Sequence, residues 1–259
     1  MPRLLTLTTD FGEADPFVGV MKGVILGIAP RVVIVDLTHQ IEPQNIEQAA
    51  RVLRYARPFF PRGTIHVAVV DPGVGTCRRP LLVQTGRDIL IGPDNGVLME
   101  NLPASSKVYE LNRSRYFLKK VSSTFQGRDL FAPAAAWVAR GTAPSRMGRR
   151  IDDPVRLALA QPRITGHTIE GEIIHADRFG NLATNISETD CPAWPPPGGV
   201  LRAGRRRITR LVSTYAEAPA GQPACLINSW GLLEIFLRGD SARKVFKLQP
   251  GHPVKLAWT

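Results

Sequence analysis

Three acidic residues, Asp10, Asp36 and Asp71, each come directly after a short apolar run with the character of a buried strand. In an open parallel sheet, ligands bind beyond the carboxyl ends of the strands, so these side chains could meet a substrate there. Taken singly, a carboxylate in such a place more often caps a helix or forms a turn. A functional site therefore needs further polar groups beside one of the three.

Asp71 has such neighbours. It is followed by Pro-Gly-Val-Gly-Thr at positions 72–76, and Arg78 lies close behind. The glycines allow backbone N–H groups to approach a ligand closely. However, the loop lacks the Gly-Lys-Ser/Thr of a phosphate-binding loop and does not match the dinucleotide fingerprint Gly-x-Gly-x-x-Gly. A ligand with hydroxyl groups fits better, because Asp10 can accept two hydrogen bonds from a vicinal diol.

The second half of the chain carries polar turns of another kind. Residues 177–181 read Asp-Arg-Phe-Gly-Asn, and residues 228–231 read Asn-Ser-Trp-Gly. Gly180 accounts for a bend in the first turn, while Phe179 could stack on a nucleobase and Asn181 could hydrogen-bond to one. The first half therefore supplies carboxylates, and the second half supplies ring-binding and amide groups.

The elements that position these turns also differ between the halves. In the first part strands and helices alternate, which predicts a mostly parallel sheet with flanking helices. The expected elements are strands at 4–8, 32–35, 65–70, 81–83 and 89–91 and helices at 18–28, 45–57 and 129–140.

Beyond a change in composition near residues 149–166, the pattern is one of short alternating strands, typical of a small β-barrel or sandwich. The sequence therefore predicts an α/β fold with an N-terminal α/β domain at 1–160 and a C-terminal β domain at 165–259. The expected strands of the second domain are 168–175, 182–186, 199–202, 208–212, 224–227, 233–237 and 254–257.

The chain carries 33 Lys and Arg against 22 Asp and Glu, a net charge of +11. An excess of this size can indicate a polyanionic partner. It is concentrated in arginine clusters at 146–150 and 202–210, and no zinc-finger spacing, aromatic RNA-binding motif or basic zipper accompanies it. A solvated, Arg-rich surface accounts for the charge, so nucleic acid is the less favoured partner.

Neither the three cysteines nor the five histidines have the spacing of a metal-ligand set, so no metal is expected. No apolar run approaches the roughly 18–20 residues needed to span a bilayer. The start of the chain, Met1-Pro2-Arg3 before a strand-like run, lacks the apolar core of a signal peptide. We expect a cytoplasmic protein without a membrane partner.

Taken in order, the motifs resemble one known family, the S-adenosyl-L-methionine (SAM) hydroxide adenosyltransferases or SAM hydrolases, which are related to the fluorinases and chlorinases. The resemblance covers essentially the whole chain. The motifs that carry it are Thr9-Asp10-Phe11-Gly12, Val70-Asp71-Pro72-Gly73-Val74-Gly75-Thr76 with Arg78, Pro93-Asp94-Asn95-Gly96, Gly127-Arg128-Asp129, Phe179-Gly180-Asn181 after Asp177, and Asn228-Ser229 before Gly231-Leu232-Leu233-Glu234-Ile235.

The resemblance implies an enzyme that hydrolyses SAM to adenosine and L-methionine by in-line attack of water or hydroxide at C5′. It implies no cofactor, since SAM is the substrate, and no metal. It further implies a homotrimer whose active sites lie between the N-terminal domain of one subunit and the C-terminal domain of the next.

The resemblance also implies roles for individual residues. The substrate-binding residues are Asp10 for the ribose hydroxyls, Phe179 and Asn181 for adenine, Asp177 for the methionine ammonium, Ser229 for the methionine carboxylate, and the backbone near Glu234 and Phe236 for the wall of the adenine pocket.

The catalytic residues implied by the resemblance are Asp71, Arg78 and the residue before Gly127, which is His in the hydrolases and Gln126 here. The sulfonium is already a good leaving group, so the site must hold a water in line with C5′. A carboxylate at Asp71 favours water over a halide, which it would repel. Gln126 can orient water but cannot take its proton near neutral pH. The sequence thus favours a working, slower hydrolase and leaves a non-catalytic SAM- or adenosine-binding protein as the alternative.

Overall fold

The computed structural model describes residues 3–191 and 193–259. Met1 and Pro2, which belong to the segment interpreted above as lacking a signal peptide, lie outside the described residues, as does Pro192. The chain forms two compact units, Met1–Ala158 and Leu159–Thr259, each with its own apolar core.

The N-terminal unit is built on a seven-stranded sheet with the strand order β2-β1-β3-β5-β4-β6-β7. Strands β2, β1, β3 and β5 pair in parallel, and the remaining pairings are antiparallel. The predicted mixed α/β fold is confirmed. The strands are β1 (Leu4–Thr9), β2 (Val33–Thr38), β3 (Ile65–Val69), β4 (Pro80–Gln84), β5 (Ile89–Pro93), β6 (Lys107–Leu111) and β7 (Gly148–Ile151), and the helices are α1 (Phe17–Ile28), α2 (Ile46–Ala56) and α3 (Ala132–Ala139).

Local sequence explains where the helices begin and what they bury. The Asn45 side chain accepts a hydrogen bond from the Gln48 backbone N–H at 2.9 Å, which caps α2. Helix α1 buries Val18, Met21 and Ile25, spaced at helical intervals, in the core that it shares with α3. In the described part of the chain, no helix combines the length and apolar character that crossing a membrane requires.

The predicted helix over 129–140 differs from the observed one. Residues 127–131 form a π-helical turn, and α3 follows it from Ala132. A Cβ atom at Gly127 would lie 3.3 Å from the sulfur of Met21, so the tight approach of α1 favours glycine where this turn begins. Such turns are frequent at functional sites. Here the turn immediately follows Gln126.

The C-terminal unit is an antiparallel sheet with the order β12-β11-β15-β9-β10-β14-β13, and β8 pairs with β9. A backbone bridge between Leu211 and Cys225 joins the chain beyond β12 to β13, so the sheet nearly closes on itself. The predicted small β domain is confirmed. Its strands are β8 (Arg163–Thr165), β9 (Thr168–Ala176), β10 (Leu182–Ser187), β11 (Val200–Ala203), β12 (Arg206–Ile208), β13 (Pro223–Ile227), β14 (Leu232–Leu237) and β15 (Pro253–Ala257), and α4 is Ala242–Phe246.

The prediction of a strand at 208–212 was wrong. The strand is Arg206–Ile208, because Gly204, at a φ of +54°, turns the chain directly back onto β11. Arg207 therefore lies opposite Arg202 in the ladder. Arg206 and Arg207 interrupt the apolar alternation that predicts a strand, so this strand was not predicted. The short strands β6, β7 and β8 also contain charged residues and were not predicted.

Candidate active site

Asp71 lies at the carboxyl edge of the parallel part of the sheet. The register pairs Thr9 of β1 with Val69 of β3, so Asp10 and Asp71 leave neighbouring strands at the same edge. Asp36 does not, because it lies inside β2 opposite Leu7, which corrects its expected place after the strand. Two of the three predicted carboxylates thus share the edge where ligands bind.

The glycine loop after Asp71 is held by close packing. Its Val74 N–H donates to the Asp71 backbone oxygen at 3.2 Å, which forms a turn. Gly75 has a φ of +80°, and a Cβ atom there would lie 2.6 Å from the Ser123 backbone oxygen. A larger residue would therefore push the loop away from the segment that leads to Gln126.

Arg78 bridges Asp71 and Gln126. Its Nε donates to Asp71 Oδ1 at 2.9 Å, and its Nη2 donates to Asp71 Oδ2. The same Nη2 donates to Gln126 Oε1 at 2.5 Å. The side chains of Asp71 and Arg78 are only 5% and 10% exposed, and the guanidinium lies 5.3 Å from the centre of the Phe131 ring. The structure thus brings the three predicted catalytic residues into one largely buried cluster.

These hydrogen bonds determine what the cluster can offer a small polar molecule. Because Gln126 Oε1 accepts from Arg78, the amide NH₂ group is left to donate. Each oxygen of Asp71 keeps a lone pair beyond the one used by Arg78. The charges of Asp71 and Arg78 cancel. The cluster therefore offers an acceptor and a donor suited to holding one water.

Asp10 is oriented from the segment after β2. Its Oδ2 accepts the Gln44 backbone N–H at 2.8 Å, while Oδ1 has no donor among residues 3–191 and 193–259. Next to it, Phe11 lies edge to face with Phe125 at 6.0 Å, and Phe125 directly precedes Gln126. Packed aromatic rings thus join the turn that carries Asp10 to the segment that carries Gln126.

In the C-terminal unit, Asp177 and Asn181 close one turn. Asp177 accepts from the Asn181 backbone N–H at 2.8 Å and from Asn181 Nδ2 at 3.1 Å. Gly180 between them has a φ of +86°, and a Cβ atom there would collide with Ser241 at 2.0 Å. This turn leaves the Phe179 ring 77% exposed. An exposed aromatic ring on a rigid turn is suited to stacking on a planar ligand.

A cleft of about 440 Å³ opens beside this turn, and Phe179, Asn181, Tyr215 and Phe236 are among its lining residues. Tyr215, which lies between the expected strands at 208–212 and 224–227, was not predicted as a site residue. Its ring meets Phe236 edge to face at 4.9 Å. An isolated aromatic in a polar loop was the only signal that could have identified it.

Glu234 lies behind the cleft, with its side chain buried and both oxygens hydrogen-bonded. Tyr215 Oη donates to Oε1 at 2.7 Å, and Asn228 Nδ2 donates to Oε2 at 2.9 Å. Burial raises the pKa of Glu234 above its ordinary value, and the two hydrogen bonds offset this only in part. The carboxylate therefore links the wall of the cleft to the turn that carries Ser229, which is exposed.

The C-terminal candidates thus fall into two places. Phe179, Asn181 and Phe236 line the one cleft, and Asp177 and Phe179 line a neighbouring cleft of about 520 Å³. Ser229 lies on a separate turn, connected to the first cleft through Asn228 and Glu234. No cluster of three His, Cys, Asp or Glu suited to a metal ion occurs within the residues that the structure describes.

Comparison with known sequences matches both units to one family. Residues 5–148 match the SAM hydroxide adenosyltransferase N-terminal domain, and residues 171–255 match the C-terminal domain. This chain belongs to the SAM hydroxide adenosyltransferase family, as its motifs predicted.

Individual relatives agree with this assignment. The chain is 38% identical to a Thermus thermophilus protein named (R)-S-adenosyl-L-methionine hydrolase, over 98% of this chain and 99% of the relative. It is 28% identical to a fluorinase from an Actinoplanes species, over 96% and 95%. A crystal structure of a conserved protein from Thermotoga maritima superposes with a TM-score of 0.90 at 31% identity, over 98% and 99%.

Proposed function

We propose that this protein hydrolyses SAM to adenosine and L-methionine. The observation that carries the proposal is the Asp71–Arg78–Gln126 cluster at the carboxyl edge of the sheet, in a chain of this family. The Thermus relative is named as a hydrolase of the (R) diastereomer, so we propose that diastereomer as the substrate.

The cluster would act by holding one water in line with the C5′–S bond. A lone pair of the water oxygen forms the new bond to C5′, and the electron pair of the C5′–S bond passes to sulfur. The sulfonium becomes the neutral thioether of methionine, and the water proton is released to solvent. Because the leaving group is good, positioning and exclusion of other water supply most of the rate.

Binding of the substrate would use both units. Asp10 presents a free carboxylate oxygen for the ribose hydroxyls, and the exposed ring of Phe179 with Asn181 supports adenine binding in the 440 Å³ cleft. Asp177 and Ser229 would hold the methionine ammonium and carboxylate. The buried carboxylate of Glu234 would support the adenine wall through Tyr215.

Incubation with each SAM diastereomer, followed by chromatography for adenosine and methionine, tests the proposal directly. We expect adenosine and methionine in equal amounts from the (R) form. Runs with and without chloride should give the same products, because Asp71 disfavours a halide nucleophile. A chloride-dependent nucleoside other than adenosine would contradict the hydrolase assignment.

The presence of Gln126 favours one alternative, a protein that binds SAM without turnover. Calorimetry with SAM distinguishes the two functions. Binding without any release of adenosine would support the alternative, whereas turnover would rule it out.

We also propose a homotrimer with active sites shared between subunits. Helix α1 supports an interface, because it exposes the apolar side chains of Phe17, Val20 and Leu26, and exposed apolar patches indicate protein contacts. The expected mass in solution is three times the 28.4 kDa of the chain. At a SAM concentration too low for the weakened site of Asn181→Ala, a mixture of Asp71→Ala and Asn181→Ala chains should show more activity than either variant alone if each site uses two subunits.

A cytoplasmic location remains part of the proposal. The three cysteines are unpaired, and Cys77 is exposed. Free exposed thiols are typical of reducing compartments.

A further inference from the structure

A buried histidine lies directly behind the turn that carries Asp10. His39 and Thr9 are 4% and 0% exposed, and His39 Nδ1 lies 2.9 Å from Thr9 Oγ1. On the other side of the ring, His39 Nε2 lies 3.0 Å from Asp36 Oδ1. Lys22 Nζ contacts the second oxygen of Asp36 at 2.5 Å. A continuous polar chain thus runs from a surface ion pair to the end of β1.

The chemistry of these groups indicates which atom donates and which accepts at each contact. Burial raises the pKa of Asp36, but Lys22 and His39, which contact its two oxygens, outweigh burial and hold that pKa below its ordinary value, so Asp36 is an ionised acceptor near neutral pH. An ionised carboxylate 3.0 Å from Nε2 favours the tautomer of His39 with its hydrogen on that nitrogen, and in that tautomer Nδ1 is an acceptor. In that tautomer the Thr9 hydroxyl donates to Nδ1.

The contact between His39 and Thr9 stabilises the turn through the Thr9 hydroxyl. Thr9 Oγ1 accepts the Phe11 backbone N–H at 3.2 Å, and donation of its own hydrogen to His39 strengthens that acceptor. The backbone oxygen of His39 also accepts the Gly12 N–H at 2.8 Å. His39 therefore holds the chain on both sides of Asp10, once through its ring and once through its backbone.

We infer that His39, supported by Asp36 and Lys22, is a positioning residue that fixes the Thr9–Gly12 turn and so preorganises Asp10 for the ribose of the substrate. Prior ordering of a binding group reduces the entropy lost on binding. The effect on ribose binding rests on the proposed function, whereas the stabilisation of the turn by His39 does not.

The chain contains a matched control for this arrangement. Thr6 lies on the same strand, is 0% exposed, and contacts Nδ1 of another buried histidine, His66, at 2.7 Å. Thr6 lies in the middle of β1, and His66 is its register partner in β3, so this pair lies away from the turn. Thr6→Val and Thr9→Val remove the same hydroxyl with the same change of shape, so their difference isolates the effect on the turn.

The experiment compares Thr9→Val with Thr6→Val by calorimetry with adenosine and by amide hydrogen exchange at Phe11 and Gly12. Thr9→Val should weaken adenosine binding about five- to tenfold, as expected for one hydrogen bond, and should speed exchange at both amides. Thr6→Val should change adenosine binding less than about twofold and leave exchange at those amides unchanged. Equal effects of the two variants on binding and exchange would overturn the inference.

Further variants separate the hydrogen bond from general damage. Thr9→Ser and His39→Asn keep a hydroxyl and an acceptor in place and should largely restore binding, whereas His39→Leu should not. Asp36→Asn, at a position where the side chain is 38% exposed, should weaken adenosine binding in the same direction as Thr9→Val.

The outcome also separates this inference from the proposed function. If the wild-type protein neither binds adenosine nor cleaves SAM, the proposed function fails. Faster exchange at Phe11 and Gly12 in Thr9→Val, but not in Thr6→Val, would still establish the hold on the turn, and unchanged exchange would refute it.

Discussion

Replacing Asp71 by Asn tests the charge of the cluster while keeping its shape. An amide can accept from Arg78 through one atom only, and its NH₂ group opposes the guanidinium donors. The lost pair is 5% and 10% exposed, and breaking a buried ion pair costs about 3–5 kcal/mol of unfolding free energy. For a unit of this size, that corresponds to a fall in Tm of roughly 6–20 °C.

The fall in kcat tests the proposed role of Asp71 more directly than the loss of stability does. Once Asp71 no longer orients water, we expect kcat to fall about 10²–10⁴-fold, which is roughly 3–5 kcal/mol in the activation barrier. Binding of adenosine should change little, because the nucleoside contacts are elsewhere. The assay is adenosine release measured by chromatography below the lowered Tm, with calorimetry for adenosine.

A neighbouring ion pair provides the control. Arg79 Nε donates to Asp94 Oδ2 at 2.7 Å, and the Asp94 side chain is 2% exposed. Asp94 also accepts the Val155 N–H at 2.8 Å, so Asp94→Asn should lose comparable stability. Its kcat should stay within about threefold of wild type. If Asp71→Asn keeps its kcat, or if both variants lose it equally, Asp71 acts on stability alone and the catalytic reasoning is refuted.

Three further predictions concern Gln126, Phe179 and His66. Gln126→His should raise kcat at least about tenfold in the steady-state adenosine assay, because a base then faces the water; an unchanged rate would show that orientation suffices. Phe179→Ala should raise the Kd for adenosine about 5- to 100-fold by calorimetry, since stacking on a base is worth about 1–3 kcal/mol, while kcat at saturation changes little. Burial lowers the pKa of His66 to about 4, below its value of 6.5 when unfolded. The unfolded state therefore binds the proton first as pH falls, and stability should decline between about pH 6.5 and pH 4 by up to about 3 kcal/mol in urea titrations. A His66→Asn variant should lack that part of the decline, and an equal decline in both proteins would contradict the assignment.

Local sequence was sufficient to predict the strand ends and turns that carry the candidate site. Asp10 follows the buried strand β1, and Asp71 with its glycine loop comes shortly after the buried strand β3; apolar runs predicted both strands. The turn at 177–181 was predicted by glycine at a position that requires a positive φ. These features depend on neighbouring residues, so periodicity and residue type predict them.

Only the tertiary structure decided which side chains meet. Arg78 reaches Gln126 across 48 positions, and His39 reaches Thr9 across 30. Such contacts depend on strand order and register, which no local pattern specifies. For the same reason Asp36, expected beside the other carboxylates, instead lies inside β2 and supports His39. Residue types thus determined the chemistry available to this protein, and the packing of distant segments determined how that chemistry is arranged.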